Sequence, residues 1–498
     1  MAISSTIPPA QRVPLFYAEM DSSMANSGSS TLRSLVIGQV NDDAEHDSIG
    51  KLVLVSRSEL AGQIGGIGSV LHGMHQAYRK NDTFGEVWCL PVKLTQGAAA
   101  AGKITVTGAA TASGVLNVYV AGVRVQVSVV NGDTPTAVAA ATAAAINAKA
   151  GMYVTALAAL GVVSLTAKFK GLLGNDIQLQ LNRLGTAGGE STPAGIAVAF
   201  TPMAGGAGSP ELQDALAAVG DEAFEFIGCA FTDAGSLNAL RDWMNDSTGR
   251  WSWSQQIYGH VYGARRGELG ELVAFGSTRN DQHTTVHGFE PGVPQPAWEV
   301  AGAWLARTAV FIGADPARPT QTGVLTGIDA APEGERFMLN ERQSLLTSGI
   351  ATANAKGGAY RIERSVTTYQ ENSFGVEDDS YLDSETLHTS SYVLRYLESR
   401  ITSKYPRHKL ANDGTKYGAG QAILTPVVAR GELIGAYGEL EDRGIVENME
   451  AFETHLIVER SATNPNRVDV LFPPDYVNQL RVFALVNQFR LQYPEEAA

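Results

Sequence analysis

His283 and His287 lie four residues apart, in a stretch that reads RNDQHTTVHGFE. On a helix they would share a face and could hold a metal ion such as zinc. The intervening Thr284, Thr285 and Val286 favour strand or loop instead, which argues against a metal pair. Gly65-Gly66-Ile67-Gly68 has the look of a nucleotide-binding turn, but Leu71 stands where that turn needs its third glycine. This segment reads as a flexible helix start. Glu377-Asp378-Asp379 reads as a solvated loop rather than a cation site, and Arg407-His408-Lys409 as a solvated or salt-bridged cluster rather than a ligand site. Cys89 and Cys229 sit in the apolar contexts EVWCLPV and FIGCAF and read as buried free thiols, which fits a reducing compartment. The sequence holds no GxxxxGK[ST] phosphate loop, HExxH, CxxC, EF-hand loop or GxSxG elbow. The expectation is no catalytic residue, no metal ligand and no cofactor.

Bulk properties narrow the class further. A chain of 498 residues with 44% hydrophobic and 18% charged residues makes real cores, in about three domains. A net charge of −14 and no long basic block speak against nucleic acid, whose binders neutralise phosphates. The first residues lack the charged-then-apolar order of a signal peptide, and no apolar stretch of about 20 residues exists for a membrane span.

The elements that must position these groups alternate. Strands are expected at 32–40, 52–55 and 86–90, with Val70, Leu71, Met74, Ala77 and Tyr78 marking a helix face. At Gly97 the composition turns to Ala, Gly, Val and Thr, with few charges as far as Gly205. Strands recur there at 103–107, 115–120, 123–129, 162–167 and 177–181. A helix between them opens at Asp133 or Thr134, with Pro135 just inside. The stretch reads as a self-contained β-rich domain, hinged by the glycine-rich borders Gly97 and Gly205-Gly206-Ala207-Gly208. Beyond it, Ser209 is expected to cap a helix, 224–231 to form a buried strand and Asp233 to cap the next helix. Strands are expected at 256–262 and 271–276, and an alanine-rich helix at 298–312. Asn340 with Gln343 reads as a capping box. Leu387, Ser391, Leu394, Leu397 and Ile401 form the buried stripe of a longer helix, and Thr425-Pro426 opens another. The class is α+β or α/β, multidomain, with alternation of the kind that builds a parallel sheet.

Both ends carry strand-like segments. Val13, Leu15 and Tyr17 share one face of a β-prone run that also holds Phe16, and Pro14 suits an edge strand. Behind it runs the Ser/Gly-rich linker from Ser22 to Thr31, which spans about 35 Å at most and roughly 17 Å as a free coil. At the other end, two β-rich runs are joined by Asn464-Pro465-Asn466 and followed by Pro473-Pro474. In the third run apolar residues fall on the even positions Leu480, Val482, Ala484 and Val486, then on the odd positions Phe489, Leu491 and Tyr493. Strand side chains alternate, so such a switch means a bulge or a strand that leaves its own domain. These ends read as arms that add strands to neighbours.

Several stretches carry a family resemblance. They are ERFMLNERQSLLTSGIATANAKGGAYRIERSVTTY from Glu335, YPRHKLANDGTKYGAGQAILTP from Tyr405, LIVERSATNPNRVDVLFPPDYVNQLRV from Leu456, ARPTQTGVLTGIDAAP from Ala317 and IPPAQRVPLFYAEMD from Ile7. In order and together they resemble contractile phage tail sheath proteins of the Mu-like type. The resemblance implies a structural subunit that stacks as rings or a multi-start helix around a tail tube protein. It also implies baseplate and tail terminator proteins as partners, with no nucleic acid and no membrane insertion. Contraction would drive the tube through the host envelope, in a virion tail assembled in the host cytoplasm. The implied organisation is an N-terminal arm and linker at 1–31 and core at 32–96. An outer insertion at 97–208 and a non-catalytic domain of subtilisin-like fold at 209–334 follow, then a C-terminal core domain at 335–487 and a C-terminal arm at 488–498. Val13, Leu15, Phe16, Tyr17, Phe489, Leu491 and Tyr493 are the expected inter-subunit residues. A sheath from a tailocin or secretion system would share all of this; an α/β hydrolase is the alternative of another class.

Overall fold

The computed structural model describes residues 32–418 and 420–491. Val13, Leu15, Phe16, Tyr17 and Tyr493 lie outside the described residues. At the centre is a six-stranded sheet in the order Thr284–Phe289, His260–Arg266, Phe226–Cys229, Ser34–Gln39, Val87–Val92, Val53–Leu54. Every neighbouring pair is parallel except the short Val53–Leu54 edge, which runs antiparallel to Val87–Val92. A parallel sheet is covered on both faces, so its strands are apolar throughout. Ser34–Gln39 is buried at all six positions. Leu35 and Ile37 face the helices Leu212–Ala217 and Ala234–Met244, through Leu212, Leu216, Leu237, Leu240 and Met244. Val36 faces the helices Val70–Asn81 and Ala297–Ala314, through Leu71, Met74, Trp304 and Leu305. These two helices meet at Gly302, where an added Cβ would come within 2.4 Å of the Met74 carbonyl oxygen. The alanine-rich sequence of the second helix thus serves close approach. The sheet unites the segments 32–96 and 209–334, which sequence alone separates.

Residues 99–204 build the expected β-rich unit. It has a four-stranded antiparallel sheet (Ala197–Ala204, Ala99–Thr107, Val162–Lys170, Val154–Ala159) and a three-stranded sheet (Val123–Val129, Gly114–Val120, Leu179–Leu181). The helix Pro135–Ala148 opens as expected, the Thr134 hydroxyl accepting from the Ala137 N–H. Ala98 and Ala207 exchange backbone hydrogen bonds of 2.9 and 3.1 Å, closing the unit at its base. It does not hang on a hinge. Tyr153 donates to the Glu299 carboxylate at 2.5 Å, and Phe169 and Tyr153 both meet the Trp298 ring edge-on. Asp176 accepts from Arg266 at 2.5 Å and from the Ala297 N–H at 2.6 Å. One apolar core runs from this unit into the central sheet.

A third body follows the long helix Ser384–Lys404. Val393, Leu433, Tyr437, Leu440, Phe452 and Leu456 form a separate core, with the Tyr437 and Phe452 rings stacked at 3.7 Å. The antiparallel hairpin Ile457–Arg460 and Val468–Leu471 lies on it, turned by Asn464-Pro465-Asn466 as the sequence indicates.

Four local expectations are corrected. The segment 271–276 is not a strand but the end of a helix, Leu269–Gly276, whose Glu271 carboxylate accepts from the Glu268 N–H. A short apolar run fits either period, and the cap decides. Ser209 caps nothing; the helix after it is Leu212–Ala217, with Glu211 at the cap position. The helix Leu339–Thr347 starts one residue before Asn340, and Glu341 rather than Gln343 reaches back, to the Met338 N–H. Leu394 is 42% exposed, so the buried stripe of the long helix passes through Val393 instead.

Candidate inter-subunit surface

Both histidines have structural partners. His287 lies on the edge strand of the central sheet and His283 just before that strand, so four residues separate them by about 13 Å. His283 Nε2 is 2.9 Å from Asp246, and His287 Nδ1 is 3.1 Å from the Ala351 carbonyl, its ring stacked on Trp304 at 4.3 Å. Burial pushes the His287 imidazole down to about 3, so it stays neutral. Among the described residues no group of three or more His, Cys, Asp or Glu is placed to hold a metal ion, and no helix is long and apolar enough to cross a membrane. Gly68, at φ 81°, passes the insertion so closely that an added Cβ would meet the Met152 carbonyl oxygen at 2.1 Å. The glycine turn therefore serves packing. Burial pushes the Cys229 thiol up to about 12 and Cys89 higher still, which keeps both unreactive. Asp378 accepts from the Ser380 N–H and the Tyr369 hydroxyl in its exposed loop, and exposed Lys409 donates to Gln421.

One buried constellation escaped the sequence reading. Glu225, just ahead of the strand Phe226–Cys229, receives three groups of the long helix Ser384–Lys404. His388 Nδ1 lies at 2.5 Å, the Ser391 hydroxyl at 2.9 Å and Arg395 at 2.6 Å. The other imidazole nitrogen is 2.7 Å from the Tyr262 hydroxyl. Burial alone would raise the Glu225 carboxyl; Arg395 and His388 outweigh it and hold the group at about 2. A serine, a histidine and a carboxylate meet here, but not as a catalytic triad. The serine donates to the carboxylate rather than to the imidazole, and all three are buried. The same helix face continues with Glu385, which accepts from the Thr320 N–H and hydroxyl, and Thr389, which donates to the Pro316 carbonyl. The first half of the helix is thus a polar key in the sheet body, and its second half packs in the third core. A charge inside the apolar run AFEFIGCAF was the signal that a buried partner had to exist.

The other notable surface follows the hairpin. Backbone bonds from Glu447 to Asp475 and from Val477 to Ile445 hold the chain against the third body. Gln479 then donates to the Ala317 carbonyl, Gln321 to the Leu480 carbonyl, and Arg481 reaches Asp383 and Glu385 at 3.1 and 3.3 Å. From 482 to 491 every residue is exposed and none is in a helix or strand. Val482, Phe483, Leu485, Val486, Phe489 and Leu491 stand in solvent, Phe489 at 76% and Leu491 at 97% exposure. The exposed run begins at 482, six residues before the boundary read from sequence. The segment forms no strand here, so the parity switch has no expression in this structure. Phe483 and Leu485 share odd parity with Phe489 and Leu491, so in an extended strand these four would lie on one face. The hairpin shows apolar residues as well, with Ile457, Val470 and Leu471 all exposed.

Comparison with known proteins gives this surface a context. Residues 205–368 match the phage tail sheath protein central domain, and residues 376–490 match the phage tail sheath C-terminal domain. The Mu-like prophage FluMu tail sheath protein of Haemophilus influenzae is 39% identical over 497 residues, 99% of this chain and 100% of the relative. Among solved structures, a sheath tail protein of Desulfitobacterium hafniense aligns with a TM-score of 0.47 at 14% identity, over 94% of this chain and 97% of that one. The anti-feeding prophage baseplate aligns with a TM-score of 0.47 at 11% identity, over 97% and 100%. With two sheath domains matched and a Mu-like sheath protein aligned along the full length, this chain belongs to the phage tail sheath family and is a structural component of a phage tail.

Proposed function

We propose that the chain is a non-catalytic lattice subunit whose segment from 482 onward adds as a strand to the hairpin Ile457–Arg460 and Val468–Leu471 of a neighbouring copy. The observation that carries this is the run of ten exposed residues with six large apolar side chains. Such a run is an aggregation hazard unless a partner covers it. The two-stranded hairpin offers strand edges and exposed Ile457 and Leu471 directly opposite each other. Five main-chain hydrogen bonds at about 0.5–1.5 kcal/mol each, with the odd face buried, make a joint that holds once many copies are in line. The residues Val13, Leu15, Phe16 and Tyr17 supply a second such strand. In this reading the sheath surrounds a tube protein, is bounded by baseplate and terminator proteins, and assembles in the host cytoplasm. Contraction draws its energy from differential burial between body surfaces in two lattice states, with no nucleotide. The unit 97–208 faces outward. The test is a chain ended after Arg481, examined by negative-stain microscopy. It should be folded and soluble yet form no cylinders where the full chain does. Cylinders of normal length from the shortened chain would refute the arm reading.

A further inference from the structure

Two charged clusters of the sequence sit on different bodies of the fold, and each borders an apolar feature. The hairpin from Glu371 to Glu377 stands on the sheet body, where Asn280 donates to the Glu371 carbonyl and accepts from the Gln370 and Glu371 N–H groups. Its turn is fixed from inside. The Asn372 side chain accepts from the N–H groups of Phe374 at 2.9 Å and Val376 at 3.3 Å, and Gly375, at φ 71°, donates to the Asn372 carbonyl. At the tip Phe374 is 88% exposed, with Val376 exposed beside it. An aromatic ring held this firmly in water loses little freedom when a partner covers it. Glu371 and Glu377 pair directly across the hairpin. Like charges so placed repel, and a cation from outside relieves them. Neither forms an ion pair among the described residues. The third body carries the counterpart. Where the helix Pro426–Asp442 opens lies a cavity of about 430 Å³, walled by Tyr417, Ile423, Val427 and Val428. The one carboxylate in its wall, Asp413, is taken by the Val427 N–H. Lys409 donates to Gln421 of the wall, and Lys416 stands between the wall residues Thr415 and Tyr417. Both lysines are exposed and form no ion pair among the described residues.

Resting on the reading of the chain as a lattice subunit, we infer that the Phe374 hairpin of one copy docks into the Tyr417–Val427 cavity of a second copy, with Glu371 and Glu377 set against Lys409 and Lys416. The two halves match in chemistry and in size. The knob is apolar with an acidic rim, and the hollow is apolar with a basic rim, in a chain whose net charge is −14. The cavity falls in the range of about 300–1,000 Å³ that holds a small ligand, so it has room for the ring. An apolar centre inside a charged rim is the common layout of a protein interface, and the rim selects partner and register. Knob and hollow lie on different bodies of one chain, so the contact runs head to tail. Contacts of that kind propagate from copy to copy into a ring or a helix instead of closing as a pair. This joint is made by folded bodies and is separate from the strand exchange proposed above. In the single chain both clusters are solvated, as the sequence reading has them.

The experiment uses the full chain and charge reversal. One variant carries Glu371→Lys with Glu377→Lys, the other Lys409→Glu with Lys416→Glu. All four positions are exposed, so melting should stay close to wild type. Each variant alone should raise the concentration at which cylinders form by about tenfold or more in low salt. An equimolar mixture of the two should assemble near the wild-type threshold, because every hairpin then finds a hollow of opposite charge. A single chain with all four changes should do the same. Phe374→Ser should raise the threshold several-fold with its melting unchanged. A wild-type threshold in both reversed variants overturns the contact. Lost assembly that neither the mixture nor the fourfold variant recovers overturns the pairing of these two clusters and assigns them to other partners, a tube protein among them. A wild-type threshold in Phe374→Ser overturns the docking of the tip. The wild-type chain separates this inference from the reading it rests on. If it forms no cylinders, the lattice reading falls; if it does and the variants match it, only the docking falls.

Discussion

Replacing Glu299 with Gln tests how firmly the β-rich unit is joined to the sheet. The Glu299 carboxylate opens the alanine-rich helix and accepts from the Tyr153 hydroxyl at 2.5 Å. Burial raises its carboxyl to about 7, with the Tyr153 bond and Lys80 pulling the other way. In the unfolded chain the group returns to its ordinary value near 4.5. Between these values the folded protein holds a proton that the unfolded chain has lost, so this group's contribution to stability falls as pH rises from 4.5 to 7 and levels off above. The full shift corresponds to about 3 kcal/mol; partial exposure of the residue brings this to about 2 kcal/mol. His75 and His287, held neutral at about 4 and 3, act in the opposite sense below their ordinary value of 6.5. The difference between wild type and Glu299→Gln therefore isolates the one group. Gln keeps an acceptor for Tyr153 and never ionises. Melting measured from pH 5 to 8.5 should show the variant gaining on wild type by a few degrees as pH rises, with the gain complete near pH 8. Parallel curves across that range would refute the buried, shared-proton account of the junction.

Two further outcomes follow from the long helix. Glu225→Gln leaves the buried His388 and the half-buried Arg395 without their carboxylate and should cost about 3 kcal/mol; a loss under about 1 kcal/mol in urea unfolding would show the key to be dispensable. Val393→Asp should unfold the third body, whereas Leu394→Asp should leave the fold intact, because only Val393 is buried; circular dichroism and melting of the pair distinguish them.

Much of the frame was legible because the signals are local. The helix face at Val70, Leu71, Met74, Ala77 and Tyr78, the apolar strand at 34–39 and the Asn464-Pro465-Asn466 turn each need only nearby residues. Leu269–Gly276 was misread because eight residues with a single apolar patch satisfy both periods. The docking of the insertion was not legible, since Tyr153 and Glu299 are 146 residues apart and each looks ordinary alone. Glu225 and His388 are 163 residues apart, and nothing local names the partner. The surface at 482–491 was half legible. Its stickiness is plain in the sequence, but its start at Arg481 depends on Asp383 and Glu385, which only the fold brings near.

The pairing of Ala98 with Ala207 bears on how such a chain changes over generations. About a hundred residues depart and return through one pair of hydrogen-bonded neighbours. For the sheet beneath, the whole unit has the end-to-end distance of a tight turn, so exchanging it for a shorter or longer sequence adds almost no closure entropy to the body. The covalent connection is permissive; the footprint is not. A replacement must still cover Trp298, offer a donor to Glu299 and an acceptor to Arg266. Inheritance at this site is therefore constrained at body residues away from the splice points, these three and Gly68 among them. A transplanted unit should succeed or fail by the side chains it presents there, not by its length.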